Sequence, residues 1–398
     1  MSQKENDNAT EPKPTSSVLY DPRVRAVVFQ ALLFSVLIWL GWTIFQNTLQ
    51  NMESRGITTG FDFLTNPAGF EILMSLVEYD ASHTYGKTFI VGLLNTVLVS
   101  LLGIFVATIL GFVMGVARLS KNWLIAKIAT VYVETLRNIP LLLQIFFWYF
   151  AVLQPLPSPR QSISAGEAFF LNNRGFYFPE PIAGEGFGAV WVALIIGIVG
   201  AIGVSRWASK RQEETGQPFP AFMTGLGLII GLPLLAFVVM GAPLTWGIPE
   251  QTRFNLKGGV QVIPELIALL LALSTYTAAF IAEIVRAGIL AVPHGQTEAA
   301  ESLGVKRSVT LRKIIIPQAM RVVIPPLTSQ YLNLAKNSSL ATAIGYPDIV
   351  SVFMGTTLNQ TGQAVEIVAM TMAVYLTISL VLSVMMNWYN KAMSLKER

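Results

Sequence analysis

The sequence predicts an all-α, polytopic membrane protein with about eight spanning helices. Composition is the first ground: 53% of the residues are hydrophobic and 13% are charged, about half the charge of an ordinary soluble domain. Length of apolar sequence is the second. Residues 88–117, 138–159, 186–205, 266–282 and 367–390 carry no charge, and a spanning helix needs about twenty apolar residues. The third is the distribution of Lys and Arg, which alternates between the predicted loops and so fixes an orientation.

In chain order, residues 1–25 form a polar N-terminal tail. This tail is too long and too poor in positive charge for a secretory leader, and no small-residue cleavage site follows in QNTLQNMESRG from Gln46. The first span, near 26–45, therefore reads as an uncleaved anchor. Further spans are predicted near 88–117, 138–154, 188–205, 219–241, 263–289, 321–345 and 367–387. The second is long enough to tilt or to project beyond the hydrocarbon. The seventh is interrupted by Pro325-Pro326 and Lys336. With the N-terminus inside, twenty of the 27 Lys and Arg residues lie in cytoplasmic segments; six face the opposite side, and Lys336 remains in a span. Both termini then lie in the cytoplasm.

The segment Glu298–Pro317, EAAESLGVKRSVTLRKIIIP, is charged and helix-forming, and is caught between apolar stretches. A helix is predicted over about 296–303, with Glu298 in its first turn, where the helix dipole favours negative charge. Gly304 suits the left-handed residue that closes such a helix, and Ser308 is a candidate cap for the next one. Ala299 and Ala300 are small enough to let another surface approach. Pro317 is expected to end the segment.

This spacing resembles the EAA loop of ABC-importer membrane subunits: Glu-Ala-Ala, three residues, Gly, nine residues, Ile, one residue, Leu-Pro. Glu298, Ala299, Ala300, Gly304, Ile314 and Pro317 fall on it, and Ile316 stands where the pattern has Leu. A merely basic inner loop need not carry six fixed positions. Three further pieces resemble the polar or general L-amino-acid branch of that type I family: GLLNTVLVSLLGIFVATILGFVMGVAR from Gly92, YVETLRNIPLLLQIFFWYF from Tyr132, and TYTAAFIAEIVRAGILAVPHGQTEAAESLG from Thr275. IPPLTSQYLNLAKNSSLATAIG from Ile324 continues the likeness.

The resemblance implies a permease domain over 88–392 with a five-helix core. An insertion at about 155–259 carries two extra helices, and a cytoplasmic coupling loop lies at 290–319. It further implies two ATP-binding subunits, a second and homologous permease subunit, a periplasmic amino-acid-binding protein, and location in the bacterial inner membrane. ATP would be used by the partner, and no cofactor is expected on this chain. The polar stretch from Gln154 to Gly186 is either a contact for the binding protein or a plain connector.

Ionisable and polar residues at membrane depth are costly and therefore informative. Lys336, beside Asn337, either faces a water-filled substrate pathway or snorkels to the rim. Asn95, Thr96, Thr275 and Tyr331 are weaker pathway candidates, since most hydroxyls in spans simply bond the preceding turn. Glu283 with Arg286, and Glu134 with Arg137, stand three apart and read as structural ion pairs at the inner membrane edge.

Other chemistries are poorly supported. Gly86-Lys87-Thr88 looks like the end of a phosphate loop, but Ala81 stands where the first Gly is required. His83 and His294 lie on opposite predicted sides, so no metal site is expected, and there is no cysteine. No basic stripe interleaved with aromatics points to nucleic acid. An ion-coupled secondary transporter, the alternative reading, needs acidic residues deep in its spans; the charge-free runs offer almost none, with Glu265 and Glu283 near span ends. Gly111-x3-Gly115 and Gly227-x3-Gly231 have the spacing of helix-packing motifs or are ordinary membrane glycines.

Overall fold

A computed structural model of the chain describes residues 22–54, 59–252 and 255–393. Most of the predicted N-terminal tail, together with Arg55, Arg253, Lys396 and Arg398, lies outside the described residues. Among the described residues, six helices are long and apolar enough to cross a membrane, or seven if one sharply bent pair forms a single span.

Helix α1 (Pro22–Ser54) presents its apolar side chains outward along most of its length. After a connector whose Gly60 N–H donates to Glu366 at 2.7 Å comes α2 (Tyr85–Ala117), about 50 Å long at the α-helical rise. The predicted third span, near 138–154, is the second arm of a bent helix pair. Residues 123–138 form an amphipathic helix, α3 (Trp123–Asn138), which stops before Pro140. α4 (Leu141–Phe146) then continues through a π-turn to Leu153, bent by 107° from α3. Proline disfavours helical backbone at the residue before it. Gln144 stabilises the bend, its side-chain amide donating to the carbonyls of Leu136 and Ile139, each at 2.9 Å. These carbonyls at the end of α3 need partners.

The predicted polar loop after Gln154 is a small β region. Strands β1 (Ile163–Ala165), β2 (Phe169–Asn172) and β3 (Gly175–Phe178) make an antiparallel meander. β4 (Glu180–Ala183) follows and leads to α5 (Gly188–Thr215) and α6 (Ala221–Val239). The chain returns through β5 (Leu244–Gly247), β6 (Glu250–Gln251), β7 (Leu256–Lys257) and β8 (Val260–Val262). β8 completes the sheet beside β3, so the two ends of the insertion meet, while β5 pairs with β4 and β7 with β6. One sheet face buries Phe170, Asn172 and Tyr177. On the other, Phe176 stacks with Phe169 and Phe178, at 6.3 and 5.8 Å between ring centroids.

α7 (Pro264–Leu290) is the central helix. Ala268, Ala272, Ala278, Ala279 and Ala282 are fully buried along it, and α2 lies against it closely. A Cβ at Gly111 would stand 2.5 Å from the Ile281 side chain, and one at Gly115 would stand 2.7 Å from the Ala282 carbonyl oxygen. Gly111 and Gly115 therefore serve helix packing. Gly227 and Gly231 meet nothing within 4 Å. α6 instead meets α5 at Gly197 and Gly225.

α8 (Gly295–Ser302) and α9 (Arg307–Thr310) form the 290–319 loop. A π-turn over Leu311–Ile315 runs into α10 (Ile316–Asn337), which continues through Pro325 and Pro326. The predicted seventh span therefore starts earlier, and from Ser338 to Ile344 it tightens to a 3-10 helix. Its polar residues keep α10 out of the set of strongly apolar helices. A π-turn over Val350–Thr357, α11 (Leu358–Thr361) and α12 (Ala364–Met393) complete the chain.

Candidate functional site

The 290–319 loop is a compact, outward-facing structure. Glu298 lies in the first turn of α8 and its carboxylate meets His294 Nδ1 at 2.9 Å. The helix ends in a Schellman motif: Gly304 N–H donates to the Glu301 carbonyl at 2.9 Å and Val305 N–H to the Ala300 carbonyl at 3.0 Å. Gly304 has φ +67°, a conformation that costs other residues energy and glycine little. A Cβ there would meet nothing within 4 Å, so backbone conformation rather than space within this chain requires glycine.

Three local expectations change. Ala300 is buried against its own chain, leaving Ala299 as the exposed small residue; successive helical residues point about 100° apart, so the pair cannot share one surface. Ser308 lies inside α9, whose N-cap position is Lys306, with no side-chain cap. Pro317 does not end the segment but occupies the first turn of α10. A first-turn proline has no N–H to leave unpaired, and the π-turn before it lets the chain stay helical. Ile314 and Pro317 are partly buried at this junction.

The sequence reading passed over Leu303, which is 81% exposed at the tip of the loop beside Gly304, and Val309, which is 45% exposed.

The inner-edge ion pairs are rearranged. Glu283 Oε2 accepts from Arg286 Nε at 3.1 Å and Oε1 from Arg286 Nη2 at 2.6 Å, and Arg118 Nη1 also donates to Oε2. Glu134 and Arg137 do not pair with each other. Glu134 stands 3.5 Å from Arg118, and the Arg137 guanidinium lies 5.2 Å from the centroid of the Phe280 ring. The cation–π contact and the neighbouring helix end take these groups away from their i,i+3 partner.

The candidate pathway residues do not converge on one cavity. Asn95 and Thr96 are fully buried in α2 and hold a turn between α10 and α12. Asn95 Nδ2 donates to the carbonyls of Pro347 and Met74, both at 2.9 Å. Thr96 Oγ1 accepts from Ile349 N–H at 3.0 Å. Thr275 bonds the preceding turn at Leu271, 2.6 Å, and Tyr331 meets Thr108 at 2.9 Å. Lys336 is exposed in the last turn of α10, with Asn337 half-buried beside it. Asp348, another residue the sequence reading passed over, is fully buried and accepts from Ser351 N–H at 2.8 Å. It lies between helices rather than in an apolar run, so a search of the spans misses it. Among the described residues no group of His, Cys, Asp and Glu could hold a metal ion.

The structure is a multi-span helical core with a short, charged, capped loop projecting from one end. The model of the family described as "Binding-protein-dependent transport system inner membrane component" matches residues 107–395, and the chain belongs to that family. It is 57% identical over 379 residues to YhdX of Escherichia coli (strain K12), whose name assigns it provisionally to the amino-acid ABC transporter permeases; the match covers 95% of this chain and 96% of YhdX. The general L-amino acid transport system permease protein AapQ of Rhizobium johnstonii is 54% identical, covering 96% and 95% of the two chains. A crystal structure of an amino acid ABC transporter with histidines aligns over 77% of this chain and 95% of the solved one, with 20% identity and a TM-score of 0.46. The chain is thus an ABC importer permease of the inner membrane and not an ion-coupled carrier.

Proposed function

We propose that this chain moves polar amino acids of broad L-specificity across the inner membrane, driven by a separate ATPase that docks on the 290–319 loop. The carrying observation is the loop itself: the Schellman-closed α8 presents Glu298, Ala299, Leu303 and Gly304 to open space at the end of a membrane core. The relatives' names favour amino acids as substrates. Two ATP-binding subunits, a second homologous permease and a periplasmic binding protein complete the assembly in this reading. ATP is consumed by the partner, and the Lys and Arg distribution favours cytoplasmic termini and a cytoplasmic loop. Lys336, Asn337, Tyr331 and Thr275 remain candidates for the substrate pathway, while the fully buried Asn95 and Thr96 hold the turn beside it. The ATPase changes the relative free energies of the inward- and outward-open states, which is what drives alternating access.

The test is a pull-down of the tagged chain from detergent-solubilised membranes, comparing wild type with Gly304→Asp. Wild type is expected to retain a nucleotide-binding subunit and a second permease. The variant, whose side chain must adopt φ near +67°, is expected to lose the former and keep the latter. Recovery of the wild-type chain without any ATPase overturns the docking assignment.

A further inference from the structure

Helices α7 and α10 are the covalent continuations of the 290–319 loop, so displacement of the loop reaches them directly. The structure holds a second connection, through the turn between α2 and α3. Asn122 fixes the far side of this turn, its carboxamide oxygen accepting from the N–H groups of Leu124 at 3.0 Å and Ile125 at 3.3 Å. Ser120 Oγ accepts from Asn122 N–H at 3.1 Å. The turn is therefore a shaped element rather than slack chain.

It faces the loop across a cavity at one point and meets α7 at another. Lys121 forms one wall of a cavity of about 640 Å³ whose other walls include His294, Thr297, Glu301 and Arg307 of the loop. Three residues earlier, Arg118 donates to Glu283 Oε2 on α7, the oxygen that Arg286 Nε also meets. Arg118 is mostly buried, with its side chain 12% exposed, and also lies 3.5 Å from Glu134 on α3. One guanidinium thus joins the end of α2 to α7 and α3, next to the place where the loop leaves α7.

We propose that Arg118 is a positioning residue for energy coupling: through the Arg118–Glu283–Arg286 cluster, the α2–α3 turn makes α2 and α3 follow the loop when it moves. The proposal rests on the reading that the loop docks an ATPase. It assigns Arg118 no contact with nucleotide or substrate. The partly buried Arg118–Glu283 pair resists separation, because a charge left alone in a partly desolvated site is costly, and Arg286, bidentate on Glu283, fixes the carboxylate that Arg118 meets. The cluster therefore ties the end of α2 to α7, so that the two move together.

The test uses the complete transporter in proteoliposomes, with its ATPase, partner permease and binding protein. The variants are Arg118→Gln, Arg118→Lys and Glu283→Gln. Recovery of the ATPase, basal ATP hydrolysis, its stimulation by loaded binding protein, and substrate uptake are measured on each.

Arg118→Gln is expected to keep the ATPase bound and basal hydrolysis near wild type, while stimulation and uptake fall at least about fivefold, the lower range of typical coupling between sites. Arg118→Lys is expected to fall between wild type and Arg118→Gln, and Glu283→Gln to show a loss like that of Arg118→Gln. Wild-type stimulation and uptake in Arg118→Gln overturn the proposal. So does loss of ATPase recovery in all three variants, which makes Arg118 a folding residue only. Failure of the docking reading looks different, because the wild-type chain itself then recovers no ATPase.

Discussion

Helices α2 and α7 meet through glycines, and so do α5 and α6, yet the two pairs are used differently. At the first interface Gly111 and Gly115 bring α2 against Ile281, Ala282 and Val285. The elements α3, α4 and α10 then pack onto α7 as well. At the second, a Cβ on Gly197 would stand 2.6 Å from the Leu228 carbonyl oxygen, which is an equally close approach. Among the described residues, however, α5 and α6 pack extensively only on each other. Ile195, Ile196 and Val199 of α5 and Leu234, Leu235 and Val238 of α6 are exposed. Small residues drive helices together in a bilayer because the apolar effect supplies little between two lipid-facing surfaces. The same device here builds a core in one place and an independent hairpin in the other. Consequences of damage should differ accordingly.

The largest expected effect lies at the first interface. Gly115→Leu must place a side chain where backbone carbonyl and Val285 already stand within 3 Å, and neither can move without parting α2 from α7. Overpacking of this kind costs about 1–3 kcal/mol or more, and the central position of α7 puts the whole core at stake. Gly227→Leu, on an open surface of α6, is the control. The monodisperse fraction surviving a heating series in detergent should collapse for the first and stay near wild type for the second. Equal survival would mean that the core tolerates separation of its central pair.

A smaller effect is expected from Asn95→Leu. The substitution nearly preserves size but leaves the Pro347 and Met74 carbonyls without their donor. An orphaned buried polar group costs about 1–3 kcal/mol, and α5–α6 offers no comparable polar junction among its described residues. The same heating series should therefore show an intermediate loss. Protection of the amides of Tyr346, Asp348 and Ile349 against hydrogen exchange should fall with it. Unchanged exchange would show that the turn is held by packing alone.

Those two junctions also mark what sequence makes legible. Long charge-free runs located the strongly apolar helices, because hydropathy is a sum over one segment and needs no knowledge of neighbours. Gly304 was legible for the same reason: a left-handed helix end is a local requirement. Glu283 with Arg286 is likewise a local, three-residue pairing, and it forms. The identical spacing of Glu134 and Arg137 fails, since Arg118, 16 residues before Glu134 and at the end of α2, competes for it. The small sheet was hidden because its strands are three or four residues long and β3 finds its last partner at 260–262. Helix α3 was hidden by Lys127, Glu134 and Arg137, which interrupt the apolar count although the helix is amphipathic. The fully buried Asp348 depends on Thr342, Ser351 and Tyr375 for its surroundings. No window along the sequence gathers all of these groups.

The smallest effect on the core should follow from the largest deletion. Residues 184–243 leave the sheet at Ala183 and return at Leu244, and these two residues are already paired in the β4–β5 ladder. An Asn-Gly dipeptide inserted between them would close the ladder as a two-residue hairpin, the connection such antiparallel strands favour. The excision removes α5 and α6 together, so an even number of crossings disappears and every remaining span keeps its direction. Amino acids should still be taken up by vesicles containing the shortened chain and its partners, and its melting behaviour should match wild type closely. Gly197→Leu provides the contrast, for it splits the hairpin while leaving both helices in the membrane. If the shortened chain is stable but no longer transports, the hairpin serves a partner rather than the core. If it does not fold at all, the separation of the two helix pairs described here is wrong, and α5–α6 carries load that its exposed faces conceal.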